Sequence, residues 1–304
     1  MNTVSEFTLR AEPAFALQAA LGEGPVWHDG SLWCVDIEGR RLHRFDSDTG
    51  RHESFDAGAR IGVAVPTDQT GTWIVGLQHG ISMWRPESGV GPEVFFDPEP
   101  DRSGNRINDG KVDPRGRFFV GTMDMACREP TGALYRVDAD RAVTRVVDSV
   151  VLSNGLAWDA ERNTLYYIDT PTQRVDAFDW DPDTGVIAGR RTVIDLSNTP
   201  GSPDGMSADA DGRLWVATWG GGAVLCIDPG DATANAGHIV GRVAVSAPHV
   251  TSCCFGGPDL KTLYITTARI GMSHEQLASQ PHAGDVFAAR VDRPGLPGTP
   301  ARTA

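Results

Sequence analysis

One aromatic position recurs along this chain at an interval far longer than any helical or strand period. It is Trp33 in SLWCVDI, Trp73 in TWIVGL and Phe119 in RFFVGT, then Tyr166 in TLYYIDT, Trp215 in RLWVATW and Tyr264 in TLYITTA. Successive members stand 40, 46, 47, 49 and 49 residues apart. Turns rich in Asp and Gly precede most of them, as HDG at 28–30, DPRG at 113–116, DAERN at 159–163 and DADG at 209–212. Further β-rich runs follow, among them RRLHRFD, ALYRVD, RVDAFDWD and AVLCID. A unit of about 40–50 residues built of four short strands and repeated six times predicts an all-β, six-bladed propeller. Solenoids fit less well, because β-helix repeats are shorter and helical repeats need a 3.6-residue period. The 35 glycines and 20 prolines are spread in short clusters between apolar runs, as turns are.

The repeat predicts one domain over 1–304. A strand around Phe7–Arg10 is expected to join the last blade, which contains Val286–Val291, and so close the ring. Residues 294–304, PGLPGTPARTA, are expected to be a loose tail. Ser273–Gln280, ahead of Pro281, is the one stretch expected to form a short surface helix.

A formal net charge of -13 argues against nucleic acid or an anionic membrane as partner. The opening residues carry no basic start followed by an apolar segment, and no run approaches transmembrane length. The five cysteines (Cys34, Cys127, Cys226, Cys253 and Cys254) are odd in number and lack CxxC spacing. They indicate neither a disulfide framework nor a zinc site, and fit a cytoplasmic protein. Adjacent Cys253 and Cys254 are expected on opposite faces of one strand.

The repeat also brings distant polar residues to one phase. Glu23 lies ten residues before Trp33, Asp109 ten and Asn108 eleven before Phe119, Asn154 twelve before Tyr166, and Asp204 eleven before Trp215. Thr251 and the Arg60-Ile61-Gly62 segment occupy the same phase in the sixth and second repeats. Residues entering the innermost strands share one end of a central channel, so Glu23, Asn108, Asn154 and Asp204 converge there. Carboxylates that converge repel unless a cation lies between them or a proton is shared. Two carboxylates and an amide oxygen suit one hard divalent ion, Ca²⁺, Mg²⁺ or Mn²⁺, with Zn²⁺ or Fe(II) also open.

The segments LGEGPVW, NRINDGKVDPRGRFFVGTMD, SNGLAW, PDGMSADADGRLWVATWGGG and TSCCFGGPDLKTLYITTAR resemble the regucalcin/gluconolactonase family of sugar-lactone hydrolases. The resemblance covers about residues 14–290 in the expected order. It implies a six-bladed propeller with one divalent metal in the central channel, held by Glu23, Asn154 and Asp204. It further implies that Asp204 is the general base and that Arg106 and Asn108 bind the substrate. Where regucalcin-like members carry a substrate-contacting acid after GTM, this chain reads Met123-Asp124-Met125-Ala126-Cys127, so Asp124 is the available substitute. The last part of the resemblance, including FGGPDLKTLYITTAR, looks closer to bacterial aldonolactonases. Arg60 and His79 lie where specificity can be set. The expected activity is metal-dependent hydrolysis of a sugar lactone. A non-catalytic Ca²⁺-binding propeller is one alternative, and hydrolysis of another ester or an organophosphate in the same pocket is the other.

Other chemistries lack their motifs. No G-x-S-x-G elbow exists for a serine hydrolase. Gly220-Gly221-Gly222 lacks dinucleotide-binding spacing. Asp179–Gly185 imitates the start of a calcium loop, but its sixth place is Thr184 and its twelfth Arg190, and it reads as a hairpin turn.

Overall fold

The computed structural model describes residues 7–304; residues 1–6, counted within the expected domain, lie outside the described residues. Six sheets, antiparallel but for one added N-terminal strand, form the blades of a propeller. Their innermost strands are Gly22–His28, Ile61–Pro66, Asn105–Val112, Ser153–Asp159, Ser202–Ala208 and Val250–Gly256. The recurring aromatics all lie on the second strands and all are buried.

The core is divided among the blade interfaces. Six separate clusters of buried apolar residues occur, each shared by two neighbouring blades. Trp33 of the first blade packs on Trp73 of the second, ring centroids 4.5 Å apart. Trp27 of the first stacks on Tyr264 of the sixth at 5.6 Å. Such pairs add about 0.5–1.5 kcal/mol to the burial itself. A repeated aromatic on every second strand therefore works as the wedge between blades. Cys253 packs at the interface of blades five and six, and Cys254 at that of six and one. They lie on opposite strand faces, as alternation requires.

The Asp-rich turns join the first and second strands of their blades. Asp113 accepts hydrogen bonds from the backbone N–H groups of Arg115 and Arg117, Asp159 from Glu161 and Arg162, and Asp209 from Asp211 and Arg213. Trp180 and Ile187 pair across the 181–186 hairpin, so that stretch is a turn. The short helix forms over His274–Ser279, with Ser273 and Gln276 capping it reciprocally.

Two expectations about the termini are corrected. Phe7–Arg10 does not join the last blade; it runs parallel to His238–Ala244 as a fifth strand of blade five. The following strand, Glu12–Phe15, closes the last blade against Val286–Arg290. Pro13 weakens the strand signal of that segment, yet an outer strand tolerates a residue that cannot donate. The tail is not loose. Gly295 bridges to Asp209 of blade five and Ala301 to Thr67 of blade two. The backbone N–H of Arg302 bonds Gly116, and that of Ala304 bonds Ala139, both in blade three. The tail thus crosses several blades through backbone hydrogen bonds, and Ala301 is buried within the cluster between blades two and three. Deleting residues 294–304 is expected to lower the melting temperature by at least about 4 °C. An unchanged thermal melt would show that the strap contributes nothing.

Candidate active site in the central channel

All six innermost strands break their ladder at the same place. The register shifts between Glu23 and Val26, Ile61 and Val63, Ile107 and Gly110, Asn154 and Leu156, Pro203 and Met206, and Val250 and Ser252. A bulge bends its strand and re-aims the local side chain. Each bulge contains or adjoins the residue at the shared phase, so Glu23, Asn108, Asn154 and Asp204 come to line one cavity of about 500 Å³. Glycine after the donor residue lets neighbouring strands close around it. A Cβ on Gly155 would stand 2.7 Å from the Asp204 carbonyl oxygen, and one on Gly205 would lie 2.1 Å from Ser252 Oγ.

Thr251 makes a different use of the same phase. Its hydroxyl donates to the Gly22 carbonyl at 2.6 Å and thereby ties blade six to blade one. Blade two has Gly62 at this phase and offers no side-chain donor. The cavity floor therefore takes its donors from blades one, three, four and five.

Hydrogen bonds fix the two amides. The Thr170 hydroxyl donates to the Pro203 carbonyl at 2.8 Å, so the amide group it faces at 2.8 Å must be the Asn154 Nδ2 donor. The Ser153 carbonyl can only accept, so Asn108 presents Nδ2 to it at 2.8 Å and also to Asn154 Oδ1 at 3.2 Å. Asn108 Oδ1 then accepts from Arg106 Nη1 at 2.7 Å. This chain leaves Asn154 Oδ1 as an acceptor, bonded by Asn108, in the cavity that Glu23 and Asp204 also line.

Charge on the floor is poorly balanced. Burial, the Asp109 carboxylate and only weak compensation push the Glu23 carboxyl up to about 8. Burial and the Glu23 and Asp109 charges hold the Asp204 carboxyl well above the usual range. Burial also raises Asp109, although Lys111 opposes it. Among the described residues no group of three or more His, Cys, Asp or Glu side chains is placed to hold a metal. A cation here relies on the Asn154 amide oxygen as third donor beside Glu23 and Asp204. That set of hard oxygens with unrelieved negative charge fits a divalent cation.

Arg106 and Arg60 reach the same cavity. Arg106 is 8% exposed and bonds the Ile107 carbonyl and Asn108. Arg60 Nε pairs with Glu38 at 2.9 and 3.0 Å, and its Nη1 donates to Gln78 Oε1 at 3.2 Å. His79 faces Gln78 at 3.1 Å outside the cavity wall.

Asp124 is corrected as a substrate contact. It does not line the cavity, and its carboxylate accepts the backbone N–H groups of Ala126, Arg128 and Glu129. Asp36 and Asp169, likewise last on their second strands, accept backbone N–H groups at the start of their own blades. Asp124 serves the same end of its blade, but caps a loop. The sequence reading passed over Glu38, Thr170 and Trp219, which line the cavity without sharing the donor phase. It noted the phase of Asp109, ten residues before Phe119 like Glu23 before Trp33, without giving that acid a role.

Residues 21–269 match the family model described as SMP-30/Gluconolactonase/LRE-like region, and the chain belongs to that family of gluconolactonase- and regucalcin-like proteins. Among its relatives, regucalcin of Danio rerio is 40% identical over 96% of this chain and 97% of its own. A protein of Bacillus subtilis (strain 168), provisionally named sugar lactone lactonase YvrE, is 37% identical over 93% of this chain and 95% of its own. The solved structure of a calcium-binding regucalcin from Agrobacterium tumefaciens superposes with a TM-score of 0.90 at 26% identity, covering 98% of this chain and 99% of that one.

Raised carboxyl pKa values set a pH dependence for the metal-free protein. Glu23 stays protonated in the fold up to about 8, whereas its ordinary value is 4.5, so the folded state binds the extra proton between these limits. The stability it contributes is present below 4.5 and is lost as pH rises through about 8. Calcium added at pH 7 is expected to release protons and raise the melting temperature, and both effects should vanish in Asp204→Asn. Calorimetry in two buffers of different ionisation enthalpy measures the release. Binding without proton release would contradict the charge assignment.

Proposed function

We propose that this chain hydrolyses a sugar lactone of the aldonolactone type to the open sugar acid, with a divalent cation as cofactor. The observation that carries the reading is the meeting of Glu23, Asn154 and Asp204 with the Arg106–Asn108 pair on the floor of one open cavity. Membership in a gluconolactonase family supports it, as does the name of the Bacillus subtilis relative.

A lactone is a cyclic ester, so its opening needs a polarised carbonyl, an activated water and a proton for the leaving ring oxygen. Glu23, Asn154 and Asp204 would hold the cation, which when bound supplies Lewis-acid polarisation and lowers the pKa of water. Asp204 takes the proton from the attacking water and returns it to the ring oxygen as the acyl C–O bond breaks. Asn108 keeps the Asn154 oxygen facing the floor. Arg106, with donors left over from Asn108 and Ile107, orients substrate hydroxyls and receives the developing carboxylate. The guanidinium is held by neutral oxygens at its near contacts, so it remains available to an anionic product.

Asp204→Ala is expected to reduce kcat by about 10²–10⁴ while the far-ultraviolet spectrum is retained; an unchanged kcat would remove Asp204 from the mechanism. Arg106→Met should raise KM and lower kcat together, because positioning acts on both. A pH-stat assay across pentono- and hexono-lactones, with chelator and with cation restored, tests the reading as a whole. Cation binding without any lactone opening would favour a Ca²⁺-binding propeller.

A further inference from the structure

Floor and rim of the cavity differ in chemistry. Blades one and two supply charge, through Glu38 and Arg60, and Arg106 of blade three adds a second guanidinium. Leu21 and Ile37 add carbon beside Glu38, and the remaining wall, with Thr170 and Ser202 as its polar members, holds no charged side chain above the floor. Met123 and Met125 come from blade three, Leu152 leads into blade four, Trp219 ends the second strand of blade five, and Ile270 follows that of blade six. Trp219 is held in place by a stack on His249, centroids 4.2 Å apart and planes 8° from parallel. At the mouth, Met125 is 38% and Ile270 is 41% exposed, both among the few large hydrophobic side chains left open to water.

A ring hydroxylated all round finds partners on the charged side and on the floor. Its hydroxyls would lose their hydrogen bonds against Met123, Met125, Leu152 and Ile270 without replacement. An alkyl or aryl group loses nothing there and gains about fourfold in affinity per buried methylene. We infer that the site takes lactones whose ring carries an apolar substituent on the carbon bearing the ring oxygen. The ester group meets the floor donors and the substituent lies along the wall of blades three to six. This inference rests on the lactone-hydrolysis reading above.

The reaction is unchanged in kind. The water oxygen bonds to the acyl carbon and the bond from that carbon to the ring oxygen breaks. One water proton ends on the freed hydroxyl, which stays on the substituted carbon, and the other is released from the new carboxylic acid. No oxidant or reductant takes part.

The test is a pH-stat series on the cation-loaded full chain, with γ-butyrolactones bearing methyl, propyl or pentyl groups on the γ carbon and a pentono-1,4-lactone beside them. The pentyl compound is expected to exceed the methyl compound in kcat/KM by about tenfold or more. Ile270→Ser, a change at an exposed rim position, is expected to shrink that pentyl-to-methyl ratio at least about threefold, and Trp219→Ser to shrink it further. Thermal melts check that both variants fold, and the ratio within each variant cancels any general loss of activity. A ratio that is flat or falls with chain length, while the pentono-lactone is opened, overturns the inference and leaves the lactonase reading standing. Failure to open any lactone overturns the lactonase reading and this inference with it.

Discussion

Closure of the ring is the constraint on which every other feature of this molecule rests. Six blades meet at six interfaces, and each has its own buried apolar cluster. Five follow from chain order alone. The sixth joins the end of the chain to its beginning, through Glu12–Phe15 on the last blade, Trp27 against Tyr264, and the Thr251 hydroxyl on the Gly22 carbonyl. Glu23 follows Gly22 directly. The contact that completes the ring therefore also sets the position of the first carboxylate at the channel, so stability and site geometry are coupled at this seam. The tail reinforces closure elsewhere, since its backbone bonds reach blades that lie far from it in sequence.

What closure brings together is electrostatically costly. Glu23, Asp109 and Asp204 are buried near one another; burial raises all three, and repulsion from neighbouring carboxylates adds to it at Glu23 and Asp204. A fold selected only for stability would place neutral side chains here. The surrounding hydrogen bonds serve orientation. Thr170 takes the Asn154 amide nitrogen and leaves its oxygen to Asn108, and Ser153 turns Asn108 so that its oxygen faces Arg106. The unrelieved charge and the ordered amides together make a floor on which the proposed cation and ester would meet.

The propeller was legible in the sequence because its unit leaves a side-chain signature. An aromatic must wedge each interface, so Trp33, Trp73, Phe119, Tyr166, Trp215 and Tyr264 recur at one spacing. The meeting of Glu23, Asn108, Asn154 and Asp204 in one cavity followed from the same phase. Features carried by backbone bonds left no such mark. The tail is anchored by amide and carbonyl groups at Gly295, Ala301 and Arg302, and its Pro and Gly content reads as looseness. Pro13 hid the strand that closes the ring. Asp124 misled because an acid beside the cavity and an acid capping the next turn look alike in sequence. Only the loop conformation separates them.

The site as proposed requires that Glu23, Asn154 and Asp204 share a single divalent cation. An anomalous difference map from crystals grown with Mn²⁺ tests it most directly. The predicted result is one strong peak in the channel, in contact with a carboxylate oxygen of Glu23, Asn154 Oδ1 and a carboxylate oxygen of Asp204. A channel free of anomalous signal at saturating Mn²⁺, or a peak held by other residues with Glu23 turned away, would contradict it.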